Sequence, residues 1–238
     1  LIGIEALSRP HEDYGFSGPT EAFVIAAQVG LVHELDVLCM TRSLQSAAEA
    51  DLPADALLFV NLAPNTLERD AGESDWLSVA VAEAQLLPSS IVVEVTERIG
   101  SRVGPVIKSL ERLREDGFKV ALDDVGTGNS GLEMLRRVDA DYVKIDCSIV
   151  NAATTEPNAR AVLMAMATFA SQTGAFVIAE GIEDEETLDF LRSIEESDLR
   201  PGRIIEGGQG LKLGRPAQEV PDHAPSVLET AAPAIAAV

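Results

Sequence analysis

Short apolar runs alternate with stretches in which apolar residues recur every three or four positions, and the alternation repeats seven times along the 238-residue chain. Leu1 to Glu5, Leu57 to Asn61 (LLFVN), Ile91 to Val95 (IVVEV), Lys119 to Leu122, Tyr142 to Ile145, Phe176 to Glu180 (FVIAE) and Gly208 to Leu213 read as strands. Between them, Thr20 to Ala48 predicts one or two helices, and Trp76, Val79, Ala80, Glu83 and Leu87 keep helical spacing. Val106, Leu110 and Leu113 mark a helix ended by Gly117, and Val162, Met166, Phe169 and Thr173 one stopped near Gly174. Asp184 is placed to cap a helix carrying Leu188, Leu191 and Ile194. Apolar strands alternating with helices predict an α/β fold, a parallel sheet covered by helices. A closed βα barrel has eight strands, so one is expected to be missing, before Leu1. The Ala/Pro-rich tail, 217–238, reads as a linker with at most one weak helix, leaving 1–216 as the domain.

The last polar residues of the predicted strands are Glu5, Asn61, Glu94, Asp123 with Asp124, Lys144, Glu180 and Gln209. In a βα barrel all strand C-termini open on one face, so these side chains are expected to converge in one cup. Each has an ordinary explanation taken singly. Glu5 reads as a surface acid, Arg9 as a solvated arginine and Asn61 as an Asx-turn before Pro64. Glu97 reads as a cap of the next segment, Lys144 as the partner of Asp146, and Glu183 as an acid in a helix first turn. Glu94, inside IVVEVTE, is harder to dismiss, because an unpaired buried charge is costly; a bound cation or an arginine accounts for it better. The Lys119 to Gly131 stretch, KVALDDVGTGNSG, also spells GxGxxG at Gly126, Gly128 and Gly131, with Asp146 where a ribose-binding acid falls in a dinucleotide fold. Asp123 and Asp124 beside a pyrophosphate count against that alternative, since the fingerprint offers bare amides to the anion.

A formal charge of −21 excludes a diffuse nucleic-acid surface and makes any phosphate ligand depend on local cations. Three scattered histidines, and Cys39 and Cys147 outside any CxxC, exclude a zinc knuckle and a disulfide framework. A metal site here is built from oxygens, which selects Mg2+ or Mn2+. The cysteine usage fits the cytoplasm, and no apolar run is long enough for a membrane helix. A strand at the very start is expected of a domain cut from a longer protein.

In order along the chain, Glu5-Ala6-Leu7 with Arg9, Val60-Asn61-Leu62 with Pro64, Glu94-Val95-Thr96-Glu97, Asp123-Asp124-Val125-Gly126-Thr127-Gly128, Lys144-Ile145-Asp146, Ala179-Glu180-Gly181-Ile182-Glu183 and Gln209-Gly210 resemble the motifs of EAL domains. These are cyclic di-GMP phosphodiesterases on a modified TIM (βα)8 barrel whose first strand, antiparallel in the family, is missing from this chain. The resemblance implies that Glu5, Asn61, Glu94 and Asp123 hold one divalent cation and that Asp123 bridges to a second supported by Asp124. It implies that Lys144 and Glu180 order the attacking water, that Arg9 meets a substrate phosphate, and that Glu183 and Gln209 line the site. Glu97 would brace the Gly126 to Gly131 loop, which in the family links the site to a dimer interface. The implied reaction converts cyclic di-GMP to linear pGpG with two Mg2+ or Mn2+ ions. The implied protein is a homodimer in the cytoplasm, with a sensor or GGDEF domain upstream. Val125, Asn129 and Leu211 depart from the family's usual Phe, Tyr and Tyr, and the segment from Ser197 to Gly208 is long. Those departures keep open an alternative: a weak or inactive EAL-like receptor of cyclic di-GMP, or a protein-interaction module.

Overall fold

A computed structural model describes residues 2–50, 52, 56–70, 75–96, 102–126, 131–195, 205–217 and 236–237. The strands are β1 (Gly3–Ala6), β2 (Leu57–Asn61), β3 (Ile91–Thr96), β4 (Lys119–Val125), β5 (Tyr142–Ile145), β6 (Phe176–Ala179), β7 (Gly207–Gly208) and β8 (Ala236–Ala237). They pair in sequence order, every pair parallel. The sheet curls until β1 approaches β7: Ile2, beside β1, reaches Gly207 on β7, and Gln209 donates to the Glu5 carboxylate. The result is the curled parallel sheet of a modified TIM barrel.

Helices α1 (Pro19–Val29), α2 (Val32–Glu49), α3 (Pro64–Asp70), α4 (Trp76–Glu83), α5 (Val103–Glu115), α6 (Gly131–Arg137), α7 (Cys147–Thr155), α8 (Pro157–Thr173) and α9 (Glu185–Glu195) fill the crossovers. Their buried stripes meet the outward residues of the strands in one large core, which includes Met40, Leu44, Val93, Val95, Leu110, Val120, Leu163 and Leu188. The apolar stretch from Thr20 to Ala48 becomes two helices divided at Gly30, and α8 begins on Pro157 and stops at Gly174. Asp184 accepts from the Thr187 amide at 2.7 Å at the start of α9, as its spacing predicts.

Inward residues follow the strand period of two. Phe59, Val92, Ala121, Tyr142 and Ile178 form a second, separate cluster with Leu57 and Phe176, and the Tyr142 ring packs against Phe59 and Phe176 with centroids 5.2 and 5.7 Å away. This plug fills the barrel below its C-terminal mouth. Two positions further along each strand comes a polar residue: Asn61 after Phe59, Glu94 after Val92, Asp123 after Ala121, Lys144 after Tyr142, Glu180 after Ile178. The same step takes Gly3 to Glu5 and Gly207 to Gln209, and the two glycines stand where the aromatic rings need room. A Cβ on Gly3 would press into the Leu57 carbonyl and lie 2.7 Å from the Phe59 ring. Gly3→Ala is therefore expected to cost about 1–3 kcal/mol, lowering the melting temperature by several degrees. Gly104→Ala, where a Cβ meets nothing within 4 Å, serves as control in the same thermal melts, which should leave it unchanged or slightly more stable.

Besides shifts of one or two residues in β1, β3 and β6, three differences from the sequence reading stand out. β4 does not stop at Leu122 but runs through both aspartates to Val125, with a register shift against β5 between Leu122 and Val125. β7 covers only Gly207–Gly208, and the chain turns at once, the Leu213 and Gly214 amides donating to Gly210. Within the tail read as linker, Ala236–Ala237 pairs in parallel with β7.

Candidate active site

Lys144 is the centre of the polar layer. It projects inward from β5, between Val143 and Ile145, and is 1% exposed. Its Nζ lies 2.8 Å from Glu94, 2.9 Å from Glu180, 3.2 Å from Asp123 and 3.6 Å from Glu5. Asp146, the partner suggested by sequence proximity, instead caps α7 by accepting from the Ser148 amide at 2.8 Å, which also removes it as the ribose acid of a dinucleotide fold. Burial alone lowers a lysine pKa, but Glu94, Asp123, Glu180 and Glu5 outweigh it and hold Lys144 well above its ordinary value. It is a permanent cation.

One cation does not satisfy four acids. Burial drives Glu94 well above the usual carboxylate range, against the attraction of Lys144 and with added repulsion from Glu5 and Asp123. Burial likewise lifts Glu180 to about 7, opposed by Lys144. Glu5 goes the other way: burial raises it, but Lys144 and the amides of Gln209 and Asn61 together bring it below its ordinary value. Those amides donate to its two oxygens, Asn61 at 2.8 Å and Gln209 at 2.5 Å.

The end of β4 explains how adjacent aspartates serve one site. Neighbouring side chains on a regular strand face opposite ways. Here the register shift and a left-handed Asp124 (φ 54°) break the alternation. Aspartate tolerates that conformation better than most residues. In consequence, oxygens of Asp123, Asp124 and Glu180 all lie within 4.8 Å of one another.

Both Glu94 oxygens, Asp123 Oδ1 and Gln209 Oε1 are buried without a directed hydrogen bond, even though the Lys144 charge is close. Buried oxygens of this kind ordinarily find a donor. A set of acceptor-only oxygens beside three clustered carboxylates fits a hard divalent cation. The structure thus brings together Glu5, Asn61, Glu94, Asp123, Asp124, Lys144, Glu180 and Gln209. Arg9 is exposed, its guanidinium donating to the Ser8 carbonyl at 3.0 Å, and Glu183 is exposed in the turn before α9. Neither makes a described contact with the ring. Glu97 lies outside the described residues, as do Thr127 to Ser130 of the following loop. Val125, where the family carries Phe, is a buried core residue, whereas Leu211 is 47% exposed.

The family model of the EAL domain matches residues 1–196. The chain is 30% identical over 223 residues to the bifunctional diguanylate cyclase/cyclic di-GMP phosphodiesterase MucR of Pseudomonas aeruginosa, covering 91% of this chain and 31% of MucR. Among solved structures, a PaMucR phosphodiesterase in complex with c-di-GMP superposes with a TM-score of 0.71 at 28% identity, covering 82% of this chain and 80% of the other. A manganese/cy-diGMP complex of Klebsiella pneumoniae BlrP1 gives a TM-score of 0.71 at 28% identity, covering 81% of this chain and 48% of the other. The chain spans 26% to 38% of the length of the curated relatives it matches. By the match of the family model to most of its length, the chain belongs to the EAL domain family.

Proposed function

We propose that this chain hydrolyses cyclic di-GMP to linear pGpG with the help of two Mg2+ or Mn2+ ions. The observation that carries the reading is the buried ring itself: one lysine shared among Glu5, Glu94, Asp123 and Glu180, with Oε2 of Glu94 and Oε1 of Gln209 buried and without a hydrogen bond. Glu5, Asn61, Glu94 and Asp123 would hold one ion, and Asp123 with Asp124 the other. When bound, such ions lower the pKa of water and shield charge on the phosphoryl oxygens. Lys144, locked as a cation, adds fixed positive charge beside the point of attack, and Glu180, 2.9 Å from its Nζ, orients the water with it. Arg9 on its exposed loop is assigned to a substrate phosphate, and Glu183 and Gln209 to the walls of the site. Glu97 is assigned to bracing the loop after β4. Hydrolysis adds one water and opens one of the two phosphodiester linkages.

The same reading makes the chain residues 1–216 of an EAL unit with a tail, acting in the cytoplasm as a homodimer under the control of an upstream sensor or GGDEF domain. Its coverage of only part of each curated relative supports the last point. No described helix is long and apolar enough to cross a membrane.

Incubation of the purified chain with cyclic di-GMP and Mn2+, followed by chromatography, is expected to yield the linear dinucleotide. Excess chelator is expected to bring the rate to background. No product at saturating Mg2+ and Mn2+ overturns the enzymatic reading. Persistence of cyclic di-GMP binding in calorimetry under those conditions selects a receptor instead.

A further inference from the structure

We infer that Asp36, on the outer helix α2, is a positioning residue for the metal ligand Asn61; this rests on the reading of the ring as a metal site. Asp36 is 3% exposed and occupies the buried stripe of α2 together with Met40, Leu44 and Ala47. A carboxylate in that stripe loses its hydration and must recover it from hydrogen bonds. Its Oδ2 accepts from the backbone N–H of Ala63 at 2.8 Å.

Ala63 stands two residues beyond Asn61, in the turn between β2 and α3. The other groups of that turn are committed elsewhere. Leu62 donates to the Glu94 carbonyl at 2.9 Å, and the Ala63 carbonyl accepts from Thr66 and Leu67 to begin α3. Asp36 therefore takes the amide that neither the sheet nor the helix uses. A charge-assisted bond at that point fixes the turn against α2. The Asn61 side chain, anchored from behind, keeps its amide 2.8 Å from Glu5 Oε1, at the edge of the ring. The route from Asp36 to Asn61 runs through this turn.

The test is a series of Asp36→Asn and Asp36→Ala, with Glu34→Gln as control. Glu34 also joins α2 to α3, through an exposed ion pair with Arg69 at 3.1 Å, without touching the turn. Mn2+ affinity is measured by calorimetry, and the Asn61 side-chain amide is followed by 15N NMR. Asp36→Ala is expected to weaken Mn2+ binding about tenfold or more, on the scale of other outer-shell partners of metal ligands, and to displace the Asn61 resonances. Asp36→Asn, which keeps an acceptor but not the charge, is expected to fall between Asp36→Ala and the parent, and Glu34→Gln to match the parent. Folded Asp36→Ala with parental affinity and unmoved Asn61 resonances overturns the assignment. If Asp36→Ala does not fold, Asp36→Asn decides by the same two readouts. A parent that binds no Mn2+ sinks the metal reading itself. The Asn61 resonances then judge Asp36 alone: displaced in the variants, they support it, and unmoved, they refute it.

Discussion

Lys144→Met is expected to unfold more readily than any single change elsewhere in the barrel, and to stop hydrolysis. The substitution keeps the shape of the side chain but leaves Glu5, Glu94, Asp123 and Glu180 facing one another with no described cation among them. Removing one partner of a buried ion pair costs about 3–5 kcal/mol, because the charge left behind is no longer compensated. For a domain of this size that is a fall of roughly 10 °C in melting temperature. Loss of a preorganised charge beside the reacting group lowers kcat by about 10²–10³ or more. Thermal melts by circular dichroism, with chelator and then with Mn2+, check both parts. A divalent ion is expected to restore much of the lost stability, since it returns positive charge to the ring. A chelated variant that melts with the parent would mean that the ring does not depend on this lysine.

Asp123→Asn is expected to do the opposite to stability while destroying activity. Asp123 repels Glu94 and Glu180, raising both their pKa values, and it is one of four acids sharing one lysine. Asparagine fills the same volume without that repulsion, so the chelated variant is expected to melt a few degrees above the parent, a gain of about 1 kcal/mol. The proposed shared ligand of two ions is lost at the same time. Mn2+ affinity is expected to fall about a hundredfold and turnover by at least about 10³. Paired melts and product assays on one preparation give the answer. A variant both less stable and still active would refute the role of Asp123 at the centre of the charge cluster. Together, the two substitutions separate what holds the barrel from what works in it.

The strands were legible because LLFVN, IVVEV and FVIAE are short apolar runs that end in a polar residue, and the period of two then carries that residue to the mouth. What one strand contributes is written locally; what the strands do together is not. Lys144 illustrates the limit. Its neighbour Asp146 looked like its partner, yet the four acids it pairs with come from β1, β3, β4 and the end of β6 and meet only through the curl of the sheet. The extension of β4 through Asp123 and Asp124 was hidden for a different reason: Asp-Asp before glycine signals a turn, and the left-handed Asp124 satisfies that signal inside a strand. β7 was overestimated because Gly207 and Gly208 are followed at once by a turn on Gly210. Asp36 did carry a readable signal, an acid at the register of Met40, Leu44 and Ala47 on an amphipathic helix. Such a residue is expected to be buried and bound, but only the fold says to what.

The aromatic cluster of Phe59, Tyr142 and Phe176 lies one strand period below the polar layer, on the side away from the C-terminal ends of the strands. On the proposed function, cyclic di-GMP would reach Lys144 from the C-terminal ends of the strands, and the linear product would leave the same way. The exposed turn between β6 and α9, which carries Glu183, would then be a place to set the pace of the proposed reaction without altering any group of the Lys144 ring.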